Sequence, residues 1–127
     1  MTIQFERAIP IFRIFSLDKA HEFYVDFLGC KFDWEARFEP DLPIYMQVSR
    51  GELIVHLSEH HGDSTPGSHA YIITTGVRDL HRELNEKRYR HNHRPGLQQQ
   101  EWGMTEVTVT DPFNNRITFG ERTEKDA

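Results

Sequence analysis

The chain has 127 residues, a net charge of −5 and one cysteine. That length fits a single domain with a full core, and nine Phe, four Tyr and two Trp supply the apolar bulk for it. The acidic balance argues against a nucleic-acid partner, which calls for a concentrated basic face, and the lone Cys30 excludes an intrachain disulfide. The opening MTIQFERAIP lacks a signal-peptide pattern and no apolar run reaches membrane-spanning length, so a soluble, cytoplasmic protein is expected. The basic run from Lys87 to Arg94 reads as a solvated helix end and loop. The charged residues 122–127 read as a frayed tail.

Residues 9–15 suggest a first strand, with Pro10 placing it at an edge or delaying its start. Residues 16–28 predict a helix: Ala20, Phe23, Tyr24, Phe27 and Leu28 make one apolar stripe. Ser16 or Asp18 can cap its start, and Gly29 is placed to stop it. Cys30 reads as a small buried residue at the entry to the next strand. Three extended runs follow at 31–37, 44–49 and 53–58, the last two alternating and joined by Arg50-Gly51. Residues 59–68 read as loop, rich in turn formers. A strand at 69–75 and a helix at 77–88, with Val77, Leu80 and Leu84 on one face, repeat the opening order. A sixth strand falls between 91 and 101, interrupted by Pro95-Gly96. The chain closes on a hairpin: Thr105, Val107 and Val109 alternate with Glu106, Thr108 and Thr110, then the Asp111 to Asn115 turn leads to Ile117 and Phe119. The order β-α-β-β-β occurs twice, which points to an internal repeat.

Four motifs occur in order: Ala8-Ile9-Pro10-Ile11, His21-Glu22-Phe23-Tyr24 with Phe27-Leu28-Gly29, Trp102-Gly103, and Asp111-Pro112. Together they resemble the vicinal oxygen chelate superfamily, which includes glyoxalase I, extradiol dioxygenases, fosfomycin-resistance enzymes and bleomycin-resistance proteins. Ala8-Ile9-Pro10, Asp33-Trp34 and the run from Gln100 to Met104 are most similar to the bleomycin-resistance group. The resemblance implies an α+β fold of two βαβββ modules that form a curved, cup-like mixed sheet. One domain spans the chain, with modules at about 1–63 and 64–122. It also implies a homodimer with ligand grooves at the subunit interface. One departure is Asn114, where the turn usually carries Gly; Asn tolerates the left-handed conformation, so the hairpin is expected to survive.

Metal-dependent relatives are implied to place one ligand each on the first, fourth, fifth and eighth strands. By motif spacing those positions are Ile9, His56, Ala70 and Thr118, with His69 replacing Ala70 if the register slips by one. Only His56 is a good ligand, so no metal, cofactor or catalytic residue is assigned. His60 and His61 lie where a strand runs into a loop, so the His56–His60 spacing does not converge as it would on a helix. Asp111 and Glu121 read as turn and capping carboxylates.

The reading that follows is a metal-free binder of the bleomycin-resistance type, sequestering a bulky cationic aromatic ligand. Aromatic faces stack on planar rings and carboxylates meet positive groups. The candidates are Asp33, Trp34, Phe38, His56, Tyr71, Trp102 and Glu106. The alternatives are a metal-dependent lyase, isomerase or dioxygenase of the same fold, or a binder of an unrelated small molecule.

Overall fold

The computed structural model describes residues 2–37, 39–87 and 94–123. The elements follow the expected order: β1 (Ile11–Arg13), α1 (Leu17–His21), a π-helical segment (Glu22–Phe27), β2 (Lys31–Ala36), β3 (Tyr45–Arg50) and β4 (Leu53–Ser58). The second half gives β5 (His69–Ile73), α2 (Val77–Glu86), β6 (Leu97–Gln99), β7 (Met104–Thr110) and β8 (Arg116–Arg122). The strands form two four-stranded mixed sheets, β1-β4-β3-β2 and β5-β8-β7-β6. In each, the first strand runs parallel to the last and the remaining pairs are antiparallel.

The first helix departs from the expected regular α-helix. The Leu28 N–H bonds to the Phe23 carbonyl, five residues back, and the Cys30 N–H to that of Tyr24. The widened turn puts Phe23, Tyr24, Phe27 and Leu28 all inside the core. The Ser16 side chain caps its start by accepting from the Lys19 N–H. The first strand is shorter than residues 9–15 predict, starting just after Pro10. Helix α2 ends at Glu86, with Lys87 already extended; the remainder of the basic run before Arg94 lies outside the described residues, as does Phe38.

One hydrophobic core serves both sheets. Phe12, Met46, Val48, Val55 and Leu57 enter it from the first sheet, and Val107, Val109, Ile117 and Phe119 from the second. Phe23, Tyr24, Phe27, Val77 and Leu84 enter from the helices. Alternate residues of β3, β4, β7 and β8 therefore point into this core, and those between point away from it. The outward rows carry the functional candidates.

The closing hairpin turn ties the halves together. The buried Asp111 carboxylate accepts four hydrogen bonds: Tyr24 Oη (2.6 Å), the N–H groups of Phe113 and Asn115 (2.8 Å each) and Asn115 Nδ2 (2.9 Å). Asn115 Nδ2 also donates to the Arg13 carbonyl, and its Oδ1 accepts from the Ser68 N–H. Asn114 takes φ 69°, the left-handed conformation expected of it. Burial pushes the Asp111 carboxyl above its ordinary range, against the four donors that pull it down. Glu121 caps α2 from outside: its two oxygens accept from the N–H groups of Gly76 and Val77, where the glycine N-cap has no side chain to do so.

Replacing Asp111 by Ala removes the acceptor of four hydrogen bonds, two of them from backbone N–H groups, and is expected to lower the unfolding free energy by about 3 kcal/mol. Tyr24→Phe removes one of those bonds and is expected to cost about 1 kcal/mol. Urea denaturation of the two variants measures both, and equal losses would contradict the four-donor account.

Candidate functional site

The outward face of the first sheet carries a hydrogen-bonded chain whose polarity is fixed link by link. Asp33 stands at a β-bulge, where the register shifts between Phe32 and Trp34. The bulge turns both Asp33 and its neighbour Trp34 outward, which strict alternation would forbid. Asp33 accepts from Gln47 Nε2 (3.0 Å). The Gln47 and Ser49 side chains hold the Asp33 carboxyl below its ordinary range. An ionised carboxylate only accepts, so the Gln47 amide nitrogen faces it and its oxygen faces His56 Nε2 (2.9 Å). His56 Nε2 therefore carries the proton. Its Nδ1 lone pair accepts from the Tyr45 hydroxyl (2.6 Å).

Aromatic rings complete this wall. The Trp34 indole lies nearly parallel to the Tyr45 ring (centroids 6.2 Å apart, 16°) and edge-on to His56 (5.4 Å). Trp34 is nonetheless 40% exposed. It opens onto a cavity of about 660 Å³ that Tyr45, Arg37, His60 and Asp63 also line. Burial lowers the His56 pKa from 6.5 and raises that of Tyr45, with the Asp63 charge adding to the latter.

The outward face of the second sheet carries a separate group. The Tyr71 hydroxyl donates to Glu106 Oε2 (2.7 Å) and Gln100 Nε2 donates to Glu106 Oε1 (3.1 Å). Glu106 is only 7% exposed and makes no ion pair among the described residues. Burial, then the bond to Glu106, pushes the Tyr71 hydroxyl up to about 12. Tyr71 crosses Gly120, where an added Cβ would collide with its hydroxyl. Beside it, His69 Nε2 bonds to Thr118 Oγ1 (2.7 Å), which bonds to Thr108 Oγ1 (2.8 Å). Trp102 stands 67% exposed in the turn before β7.

The structure thus brings Asp33, Trp34 and His56 together on one sheet, and Tyr71 and Glu106 together on the other. Among the described residues no hydrogen bond or ring contact joins the two groups. Phe38 lies outside the described residues. Sequence reasoning missed Tyr45 and Gln47, although both share the alternating outward row of β3 and so were legible from periodicity. It also missed Gln100, whose role depends on the fold.

The four positions implied for a metal do not fit one. Ile9 has no donor atom. His56 has both ring nitrogens in hydrogen bonds. Ala70 has no donor atom and packs on the core side of β5, and the outward residue beside it is His69. β5 pairs with β8 in unbroken register, so His69, Tyr71 and Ile73 alternate with Ala70 and Ile72. Thr118 offers a hydroxyl already bonded to His69 and Thr108. Among the described residues no group of three or more His, Cys, Asp or Glu side chains is placed to hold a metal ion.

Two βαβββ units, each with an open outward sheet face, define the glyoxalase/bleomycin-resistance fold. The chain belongs to the glyoxalase superfamily: the model for "Glyoxalase superfamily protein" matches residues 1–126. Its structure is similar to a bleomycin-binding protein solved with bleomycin (TM-score 0.70, 17% identity, 93% of this chain and 99% of that one). It is similar also to the bleomycin-binding protein from bleomycin-producing Streptomyces verticillus, complexed with copper(II)-bleomycin (0.69, 24%, 98% and 100%). A third is a glyoxalase/bleomycin resistance protein/dioxygenase superfamily member from Sphaerobacter thermophilus (0.67, 17%, 93% and 98%). At these identities the likeness is one of fold. No curated protein sequence matches the chain significantly. No helix of the described residues is long and apolar enough to cross a membrane.

Two outcomes follow. In a Trp102→Phe background, Trp34 is the sole tryptophan, and its emission is expected to fall as His56 gains a proton, with a midpoint below pH 6.5. The folded pKa lies below the unfolded one, so the unfolded chain binds the proton first. Stability from this site is complete above pH 6.5 and is lost as pH falls below it. A midpoint above 6.5, or a titration that survives His56→Phe, would contradict the assigned chain. Second, Gly120→Ala is expected to drive Tyr71 off Glu106. A tyrosinate titration should then show Tyr71 ionising nearer pH 10 instead of about 12.

Proposed function

We propose that the chain is a small-molecule binding protein of the bleomycin-resistance type. It would sequester a bulky cationic ligand with a planar aromatic end and leave it chemically unaltered. The observation that carries this reading is the Trp34–Tyr45 pair, left open on a sheet face beside an ionised Asp33. A planar ring gains stacking on the exposed indole face, and a cationic group gains the carboxylate. The hydrogen-bond chain from Asp33 to Tyr45 preorganises that wall, so little ordering remains to be done on binding.

Each outward face supplies one side of a binding surface. Tyr71 and Glu106, with Trp102 at the edge, offer an aromatic ring and a buried carboxylate with no ion pair among the described residues. We propose that a homodimer sets the first sheet of one copy against the second sheet of the other, each copy contributing its two modules as one domain that divides near residue 63. The exposed Ile73, Tyr71 and Ile11 on these faces are surface that such pairing would cover. The likeness of fold to two bleomycin-binding proteins supports the ligand class. Antibiotic resistance by sequestration in the cytoplasm would be the biological role.

Titration with metal-free and with copper(II)-loaded bleomycin, followed by tryptophan emission, tests the reading. Saturable quenching at about micromolar ligand is expected. Trp34→Ala should weaken binding by about 10- to 100-fold. Glu106→Gln should weaken it by about tenfold. Sedimentation should show a dimer whose dilution into monomer loses the binding. Absence of quenching with either form would reject bleomycin-like ligands and leave an unrelated small molecule as the occupant.

A further inference from the structure

A second cavity, of about 410 Å³, opens at the far end of β1 and is lined by Arg13, Phe15, Arg37, Asp41, Pro43 and Glu59 among others. Its charges are unequally engaged. Arg37 donates to the Pro40 carbonyl and reaches Glu35. Glu59 accepts the Ile44 N–H. Arg13 is different: its Nε is buried with no hydrogen-bond partner, and its guanidinium makes no ion pair or side-chain hydrogen bond among the described residues. Instead it lies over the Phe15 ring, 4.5 Å from the centroid, and Phe15 in turn rests against Phe113. This contact holds the guanidinium on the ring and leaves its terminal Nη groups for a planar acceptor. Asp41, of opposite charge, is exposed and makes no ion pair among the described residues, Arg13 and Arg37 included.

A cation and an anion that line one cavity without pairing are complementary to a molecule carrying both charges. We propose that this cavity is a binding site for a zwitterionic α-amino acid with an apolar side chain. The ligand carboxylate takes the stacked Arg13 guanidinium, in the planar geometry that favours arginine for carboxylates. The ammonium group faces Asp41, and the side chain lies against Phe15, Leu42 and Pro43. The site adjoins the Trp34 cavity through Arg37 but uses other residues, and it does not rest on the bleomycin-type reading.

Calorimetric titration of the full chain with L-phenylalanine, N-acetyl-L-phenylalanine and L-phenylalaninamide tests this. The acetyl form lacks the ammonium charge and the amide lacks the carboxylate. Saturable binding of L-phenylalanine at about millimolar or below is expected, with each derivative about tenfold weaker or more. Arg13→Gln should reduce the affinity for L-phenylalanine to that of the amide, and Asp41→Asn to that of the acetyl form. Asp41 is exposed in a loop, so its variant keeps the test decisive if Arg13→Gln fails to fold. The Arg13 Nε–H signal should shift on titration with L-phenylalanine in heteronuclear NMR. No saturable binding, or either derivative binding as tightly as the zwitterion, would overturn the proposal.

Discussion

The Asp111 carboxylate is the constraint on which the rest of the structure depends. It gathers Tyr24 from the first half and the Phe113–Asn115 turn from the second, and Asn115 extends the junction to Arg13 and Ser68. Its burial is costly, as the upward displacement of its pKa records, and four donors offset that cost. With this junction in place, both sheets turn their apolar rows onto one core. The polar and aromatic rows are left facing outward, which is what makes them available to a ligand or a second copy.

The outward rows are built on the same logic of satisfied polarity. An ionised Asp33 orients Gln47, which sets the tautomer of His56, which receives the Tyr45 hydroxyl. The chain leaves His56 without a free lone pair, so the one good metal-ligand residue among the four implied positions is already committed. The fold that elsewhere in its superfamily is associated with metal chemistry here presents a preorganised aromatic wall. On the second sheet, Thr118 occupies a comparable position and is committed to His69 and Thr108. Among the described residues, neither face brings together three or more His, Cys, Asp or Glu side chains around a metal position.

Much of the fold was legible in the sequence because its signals are local. The apolar stripe of the first helix, the alternation at 44–58 and the Asp111 turn each fixed an element, and the left-handed Asn114 and the capping Glu121 followed from residue chemistry. The π-helical turn was not legible, since the same stripe suits either helix and only the packed core selects the wider one. The site was legible in part. Trp34 and His56 stood out by type, while Tyr45 and Gln47 looked ordinary, although they share the outward row. The implied metal position at Ala70 falls on the core side of β5, and the outward row is His69, Tyr71 and Ile73, as alternation along a regular strand dictates. The Asp33-Trp34 pair is the converse case: both face outward only because of a bulge, which leaves no clear mark in sequence.

The central claim is that His56 is a fixed link in the hydrogen-bonded chain from Asp33 to Tyr45. Nitrogen-15 NMR of the imidazole, with and without an equivalent of zinc(II), tests it most directly. The account predicts a neutral ring protonated at Nε2 near pH 8, with resonances that zinc leaves in place. An Nδ1-protonated ring, or resonances that move or broaden on adding zinc, would contradict it.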